Sequence, residues 1–228
     1  MSVVLCIETS TEVCSASLFE GFEAVVEKNC YQPLSHAVML PQFLQEIFDF
    51  ARKNQKLPTA VAVSGGPGSY TGLRIGVSSA KGICFALNIP LIALDTLMII
   101  ATEAKKKLTG NTMICPMIDA RRMEVYTALF DFELNKIEQT QAKIIYENSF
   151  EDLLNTSKIV FCGNGVDKCK GVVKQHPNAV FLENIYPLSS NMIEESKRKF
   201  DNRIFEDTAY YEPFYLKEFV ATVPKNLI

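Results

Sequence analysis

Tryptophan is absent from the 228-residue chain, and histidine occurs only at His36 and His176. There is no H-E-x-x-H motif and no Cys/His cluster, so the usual zinc ligand sets cannot be assembled and no metal site is expected. No apolar run approaches the roughly 20 residues that span a bilayer, and the start lacks the charged-then-apolar pattern of a secretory leader. The expectation is a cytoplasmic protein without membrane contact. The seven cysteines, Cys6, Cys14, Cys30, Cys84, Cys115, Cys162 and Cys169, form no C-x-x-C pair and mostly have apolar neighbours, so they read as reduced core filler. A basic excess is missing too, since 23 Lys and Arg face 26 Asp and Glu for a net charge of -3. Nucleic-acid grip rests on neutralising phosphates, so contact with RNA would need a partner's charge.

What is present is ordinary globular material, 48% hydrophobic and 21% charged, in a length that suits two small lobes. Val3 to Thr9, Val13 to Phe19 and Phe22 to Lys28 read as three strands joined by tight turns. From His36 to Arg52 the apolar residues Leu40, Phe43, Leu44, Ile47, Phe48 and Ala51 recur at helical spacing, which accommodates Pro41 only in a first turn. A strand over Thr59 to Ser64 leads into Gly65-Gly66-Pro67-Gly68, after which Leu73 to Leu87 is helical and Leu91 to Asp95 is a strand. A helix from Thr96 to Lys107 ends in lysines suited to its dipole, and Gly110 follows. A lobe boundary is placed there, giving units 1–108 and 109–228. The second unit opens with a hairpin, Thr112 to Ile118 and Glu124 to Phe130. This element order defines an α/β protein.

Gly65 to Gly76 has the strand, Gly-rich turn and helix start that can present amides to an anion. A Walker loop would need Lys-Ser/Thr where Leu73-Arg74 stands, and the dinucleotide fingerprint would need glycine at Thr71. Positive φ at the glycines and a cap from Ser69 or Thr71 are the favoured explanation. Gly72, Gly76, Ala80 and Cys84 share one helical stripe that admits a close neighbour, either the helix from His36 or a helix of a partner. Arg74 in the first turn is expected to pair with a carboxylate, in this chain or on a partner. Ile7-Glu8-Thr9-Ser10-Thr11 and Gly163-Asn164-Gly165 each could face phosphates or be plain turns. Asp119-Ala120-Arg121-Arg122-Met123-Glu124 is a charged hairpin tip, either solvated or facing a cleft or a tRNA-bound partner.

Together Gly66 to Gly76, Ala80-Lys81-Gly82, Asp119-Ala120-Arg121-Arg122 with Glu124-Val125-Tyr126, and Pro213-Phe214-Tyr215-Leu216-Lys217 resemble the TsaB (YeaZ) family. That family is the small, non-catalytic paralogue of the TsaD threonylcarbamoyl transferases in the actin-like ATPase superfamily. The resemblance implies a two-lobed actin-like, ribonuclease H-like fold, each lobe a mixed sheet with helices, the C-terminal lobe reduced and its last helix able to pack back on the first. It implies an accessory subunit for forming threonylcarbamoyladenosine beside the tRNA anticodon. The implied partners are a TsaD-type catalytic subunit and a TsaE-type ATPase, with tRNA reached through the complex and a homodimer formed when the chain is alone.

The partner surface so implied uses Leu40, Phe43, Leu44, Ile47, Gly72, Leu73, Gly76 and Ala80, all exposed in the monomer. Thr9, Ser10, Thr11, Asp119, Gly163 and Gly165 match a remnant nucleotide cleft, and ATP or ADP would sit there or at the partner interface. Thr9 stands where the superfamily's ATPases carry glycine. Thr96 and Ile100 stand where the catalytic paralogue carries its metal-binding histidines, so no catalytic residue is assigned. The competing reading is an independent actin-like kinase or hydrolase using Glu8 and Asp119. A metallopeptidase lacks its ligands.

Overall fold

The first apolar run folds as β1 (Val3–Glu8), buried at every residue. It forms an antiparallel meander with β2 (Cys14–Glu20) and β3 (Glu23–Cys30). Helix α1 (His36–Lys53) then crosses to β4 (Ala60–Gly66), and α2 (Tyr70–Leu87) crosses to β5 (Leu91–Asp95), both strands running parallel to their neighbours. The sheet order is β3-β2-β1-β4-β5. Successive side chains of β1 serve opposite layers. Leu5 and Ile7 meet Leu40, Ile47 and Ala80 of α1 and α2, whereas Val4 and Cys6 join the layer containing Ile99 and Met192. This computed structural model describes residues 2–110, 112–173 and 176–217, so the end of the expected second lobe, 218–228, lies outside the described residues.

After α3 (Thr96–Lys105), strands β6 (Met113–Asp119), β7 (Glu124–Phe130) and β8 (Lys136–Ile144) form a second meander. Then α4 (Glu151–Thr156), β9 (Ile159–Cys162), α5 (Val166–Lys170) and β10 (Ala179–Phe181) complete a sheet ordered β10-β9-β6-β7-β8. Read from its meander, this order repeats the first sheet, with α4 and α5 in the places of α1 and α2. The repeat that residue identity hides is therefore plain in the topology. The crossover helices shrink from 18 residues each in the first sheet to 6 and 5 in the second. Helix α3 fills the space between the sheets, where Leu97, Ile100 and Ala104 pack with Ile114, Ala128 and Phe130.

Beyond β10 the chain returns to the first sheet. Ser189 shares hydrogen bonds of 2.6 Å with Ser15 and with Ser17, and α6 (Ile193–Asp201) puts Ile193 against the layer of Val4 and Cys6. Lys199 Nζ donates to the Ala93 carbonyl at 2.7 Å. Residues 204–217 then run as a strap over the first sheet: Glu206 N donates to Leu91 O and Phe214 N to Gly65 O. Pro41 sits in the second turn of α1 rather than the expected first. Both Pro41 and Ala37, whose carbonyl loses its partner, are exposed, so water serves that carbonyl.

Candidate functional site

The segment after β1 is clamped by the start of α2. Ser69 caps that helix by accepting from Gly72 N at 3.3 Å, and its own N–H donates to Ser10 O at 2.7 Å. Thr9 Oγ1 donates to Gly72 O at 2.8 Å. A Cβ at Gly72 would overlap Thr9 O, one at Gly76 would overlap Thr9 Oγ1, and one at Gly68 would overlap Ser10 O. Gly72 and Gly76 thus let α2 rest directly on this loop, while Ala80 and Cys84 further along the same stripe share a core with Leu40, Phe43 and Ile47 of the helix from His36.

Glu8, with no exposed surface, accepts from Ser10 N at 2.6 Å and Ser10 Oγ at 2.5 Å through one oxygen. Burial pushes its carboxyl up to about 7, and the hydrogen bonds from Ser10 and Ser64 temper the rise. Its second oxygen and the Thr11 hydroxyl are buried without a partner among the described residues.

Of the expected cleft residues, Thr9 and Ser10 are taken up by the start of α2, while Asp119 and the Gly163-Asn164-Gly165 turn meet beside Glu12. Glu12 accepts from Asn164 Nδ2 at 2.5 Å, and Asn164 Oδ1 accepts from Asp119 N at 3.0 Å. Asp119 also binds Lys168. Gly165 N donates to Met117 O, and a Cβ at Gly163 would overlap the same carbonyl. The adjoining cleft, lined by Glu12, Asn164, Asp167, Glu183 and Tyr186, encloses about 120 Å³. Small-molecule pockets usually start near 300 Å³, and the carboxylates repel phosphate.

The partner surface read from periodicity needs correction. Leu40, Phe43, Ile47, Gly72, Leu73, Gly76 and Ala80 are all buried in the chain's own fold, and only Leu44 keeps partial exposure. The reason is that these residues form the inner stripes that cover β1 and β4. The faces beside them reach solvent at Ala37, Val38 and Pro41 on α1 and at Ser78, Gly82 and Phe85 on α2, with Phe85 87% and Val38 62% exposed, while Leu44, Phe48 and Ile75 are half-buried against the core. Arg74 lies over the Tyr70 ring, 5.2 Å from its centroid, and donates to the Tyr70 hydroxyl at 3.3 Å, with no carboxylate paired to it among the described residues. This is cation–π chemistry that offsets its place near the helix start.

Thr96 and Ile100 are fully buried, and among the described residues no three His, Cys, Asp or Glu side chains group as metal ligands. All seven cysteines are free thiols, six of them buried; burial pushes Cys6, Cys14 and Cys115 up to about 12, so they stay protonated. No helix among the described residues is long and apolar enough to cross a membrane. The sequence reading missed three positions that tie this region together. Lys81 ties down the strap, Tyr211 lies over Gly65, and Glu12 bridges the lobes. The Lys81 signal was available, because a lysine between Ala80 and Gly82 on a helix otherwise poor in charge invites a tertiary partner.

Duplicated sheets of this order, with the first loop clamped at their junction, define a two-lobed actin-like, ribonuclease H-like protein. A Pseudomonas aeruginosa protein titled as similar to the peptidase YeaZ has the same fold, with a TM-score of 0.81 at 23% identity over 95% of this chain and 100% of that one. YeaZ from the same organism gives 0.78 at 22% identity, again over 95% and 100%. A family model described as TsaD, tRNA N6-adenosine threonylcarbamoyltransferase, matches residues 34–157. The Escherichia coli K12 tRNA threonylcarbamoyladenosine biosynthesis protein TsaB is 30% identical over 96% of each chain. Its Bacillus subtilis namesake is 30% identical over 60% of this chain and 58% of its own length. The chain belongs to the TsaB (YeaZ) family.

Proposed function

We propose that this chain is a non-catalytic subunit of the machinery that forms threonylcarbamoyladenosine in tRNA beside the anticodon. It docks on a TsaD-type catalytic subunit and works with a TsaE-type ATPase in the cytoplasm. The observation that carries the non-catalytic part is the clamp of α2 on the 9–10 loop. The amides and hydroxyls with which an actin-like ATPase would wrap phosphates are here bonded to Glu8, Ser64 and Gly72. A Glu8 carboxyl half-protonated near neutrality and sealed from water is a poor magnesium ligand. The interface with the partner, rather than this junction, is then the place for ATP or ADP.

Docking is assigned to the outer faces of α1 and α2, where Val38, Pro41, Leu44, Gly82 and Phe85 are available. Gly82 has nothing within 4 Å of where a Cβ would stand, so a partner helix can approach its backbone closely. The same face supports self-association when the partner is absent. The deciding experiment is a reconstituted modification assay with the catalytic subunit and the ATPase, with and without this chain, beside a test of the chain alone for ATP turnover. Modification that depends on the chain, with no turnover by the chain alone, is the expected result. Turnover by the isolated chain that is lost in Glu8→Gln or Asp119→Asn would instead make it an actin-like enzyme.

A further inference from the structure

The tip between β6 and β7 carries a cost that its fold does not require. Arg121 and Arg122 hold φ values of 68° and 52° in succession. Residues other than glycine are disfavoured in this region, and tight hairpin turns normally place Asn or Gly there. Both arginines are exposed, and neither guanidinium has a hydrogen bond or ion pair among the described residues. The local acids are already engaged: Asp119 accepts from Arg121 N at 2.7 Å and binds Lys168, and Glu124 binds Lys217. In a chain of net charge -3, two adjacent free guanidinia are a concentrated exception.

The surroundings are aromatic as well as basic. Tyr126 on β7 lies within the electrostatic reach of both Arg121 and Lys217. Two residues before Lys217, the Tyr215 ring packs 4.8 Å from Tyr70, which carries Arg74 on its face. The strap therefore joins the tip to α2 in one strip of cations and tyrosines, and among the described residues Glu212 is the exposed acid acting on Tyr215.

We infer that the Arg121–Arg122 tip is a phosphate clamp for the RNA backbone, putting this subunit in direct contact with the tRNA. Guanidinium forks suit phosphate oxygens, and neighbouring tyrosines add the stacking surface that unpaired bases use. An acidic protein would use the cations without needing that aromatic strip. This inference rests on the tRNA-modifying role proposed above.

The test measures tRNA affinity of the assembled complex of full-length chain and TsaD-type subunit, using an unmodified tRNA transcript. The main variant is Arg121→Asn with Arg122→Gly, which relieves the backbone cost, and Arg121→Lys with Arg122→Lys keeps the charge. Lys197→Ala with Arg198→Ala on α6, away from both the tip and the docking helices, removes equal charge elsewhere. The Asn-Gly variant is expected to melt at or above the parent temperature yet bind tRNA about tenfold more weakly. Its log–log salt slope should be shallower by about two. The lysine pair should keep the slope, and the α6 control should match the parent. An Asn-Gly variant that binds tRNA like the parent while modification still depends on the chain overturns the clamp and leaves the subunit role standing. Loss of complex assembly in that variant, with tRNA affinity of the assembled fraction unchanged, also overturns it and makes the tip a protein contact. Failure of the parent chain to assemble with the catalytic subunit removes the subunit role, and the clamp with it.

Discussion

The Thr9 hydroxyl donates to the Gly72 carbonyl across 2.8 Å, so the loop after the first strand and the start of α2 are bonded backbone to side chain. One turn further on, Gly76 leaves no space for a methyl group, because Thr9 Oγ1 occupies it. Gly76→Ala gains up to about 1 kcal/mol of helix propensity but overpacks a buried contact that costs about 1 to 3 kcal/mol, so the net effect is destabilising. Gly82→Ala, with open space at the same helix, should gain about 1 kcal/mol. Urea denaturation of the two variants checks the pair of signs. Equal stabilisation of both would mean that α2 does not rest on Thr9.

Glu8 gives the fold a pH dependence. Its folded value of about 7 lies above the ordinary 4.5, so the native state holds this proton more tightly than the unfolded chain does. The stabilisation is therefore complete below about pH 4.5 and is lost as pH rises to about 7, amounting at order of magnitude to 3 kcal/mol. Cys14, which faces the same carboxyl, is held near 12 and stays neutral across that window. Glu8→Gln should flatten this fall and be the more stable protein at pH 8, as read from unfolding free energies between pH 4.5 and 8. A parallel slope in both proteins would place the titration elsewhere.

Periodicity made α1 and α2 legible as amphipathic helices, and turn chemistry located the breaks at Gly65 to Gly68. What it could not supply was which stripe faces which neighbour. On α1 the stripes Leu40-Phe43-Ile47 and Pro41-Leu44-Phe48 differ little in apolar content, but the first is buried in the core over the meander while the second is only partly covered. The glycines of α2 looked like a helix-packing stripe, because the surface they meet, the loop at Thr9 and Ser10, is more than 60 residues away in sequence. The second sheet was readable only as an opening hairpin, since α4 and α5 are too short to show a helical period.

The corrected stripes separate docking from folding. Val38→Asp and Phe85→Asp alter side chains that are mostly in water, so stability should change by less than about 0.5 kcal/mol. Each should nonetheless cut co-purification of the catalytic partner at least tenfold, because a charge placed in an apolar contact is desolvated without a mate. Leu40→Asp, at a fully buried position, should give little soluble protein. Retention of the partner by both surface variants, measured with thermal melts alongside, would move the interface off α1 and α2.

Lys81 reaches from the middle of α2 to accept no charge in return: its ammonium donates to Tyr211 O at 2.9 Å and Ala209 O at 3.2 Å. These are charge-assisted bonds to a segment also tied by Glu206 N to Leu91 O, by Phe214 N to Gly65 O and by Tyr215 on Tyr70. Lys81→Ala leaves both carbonyls to water, so the loss in global stability should be about 1 to 2 kcal/mol. The local effect should be larger, because opening the strap exposes little core while freeing its backbone. Amide exchange at Phe214 and proteolysis within 204–217 are expected to accelerate at least tenfold, with exchange in β1 and β4 changing no more than the global loss requires. Uniform acceleration across the first sheet would show instead that the strap and the sheet unfold as one unit.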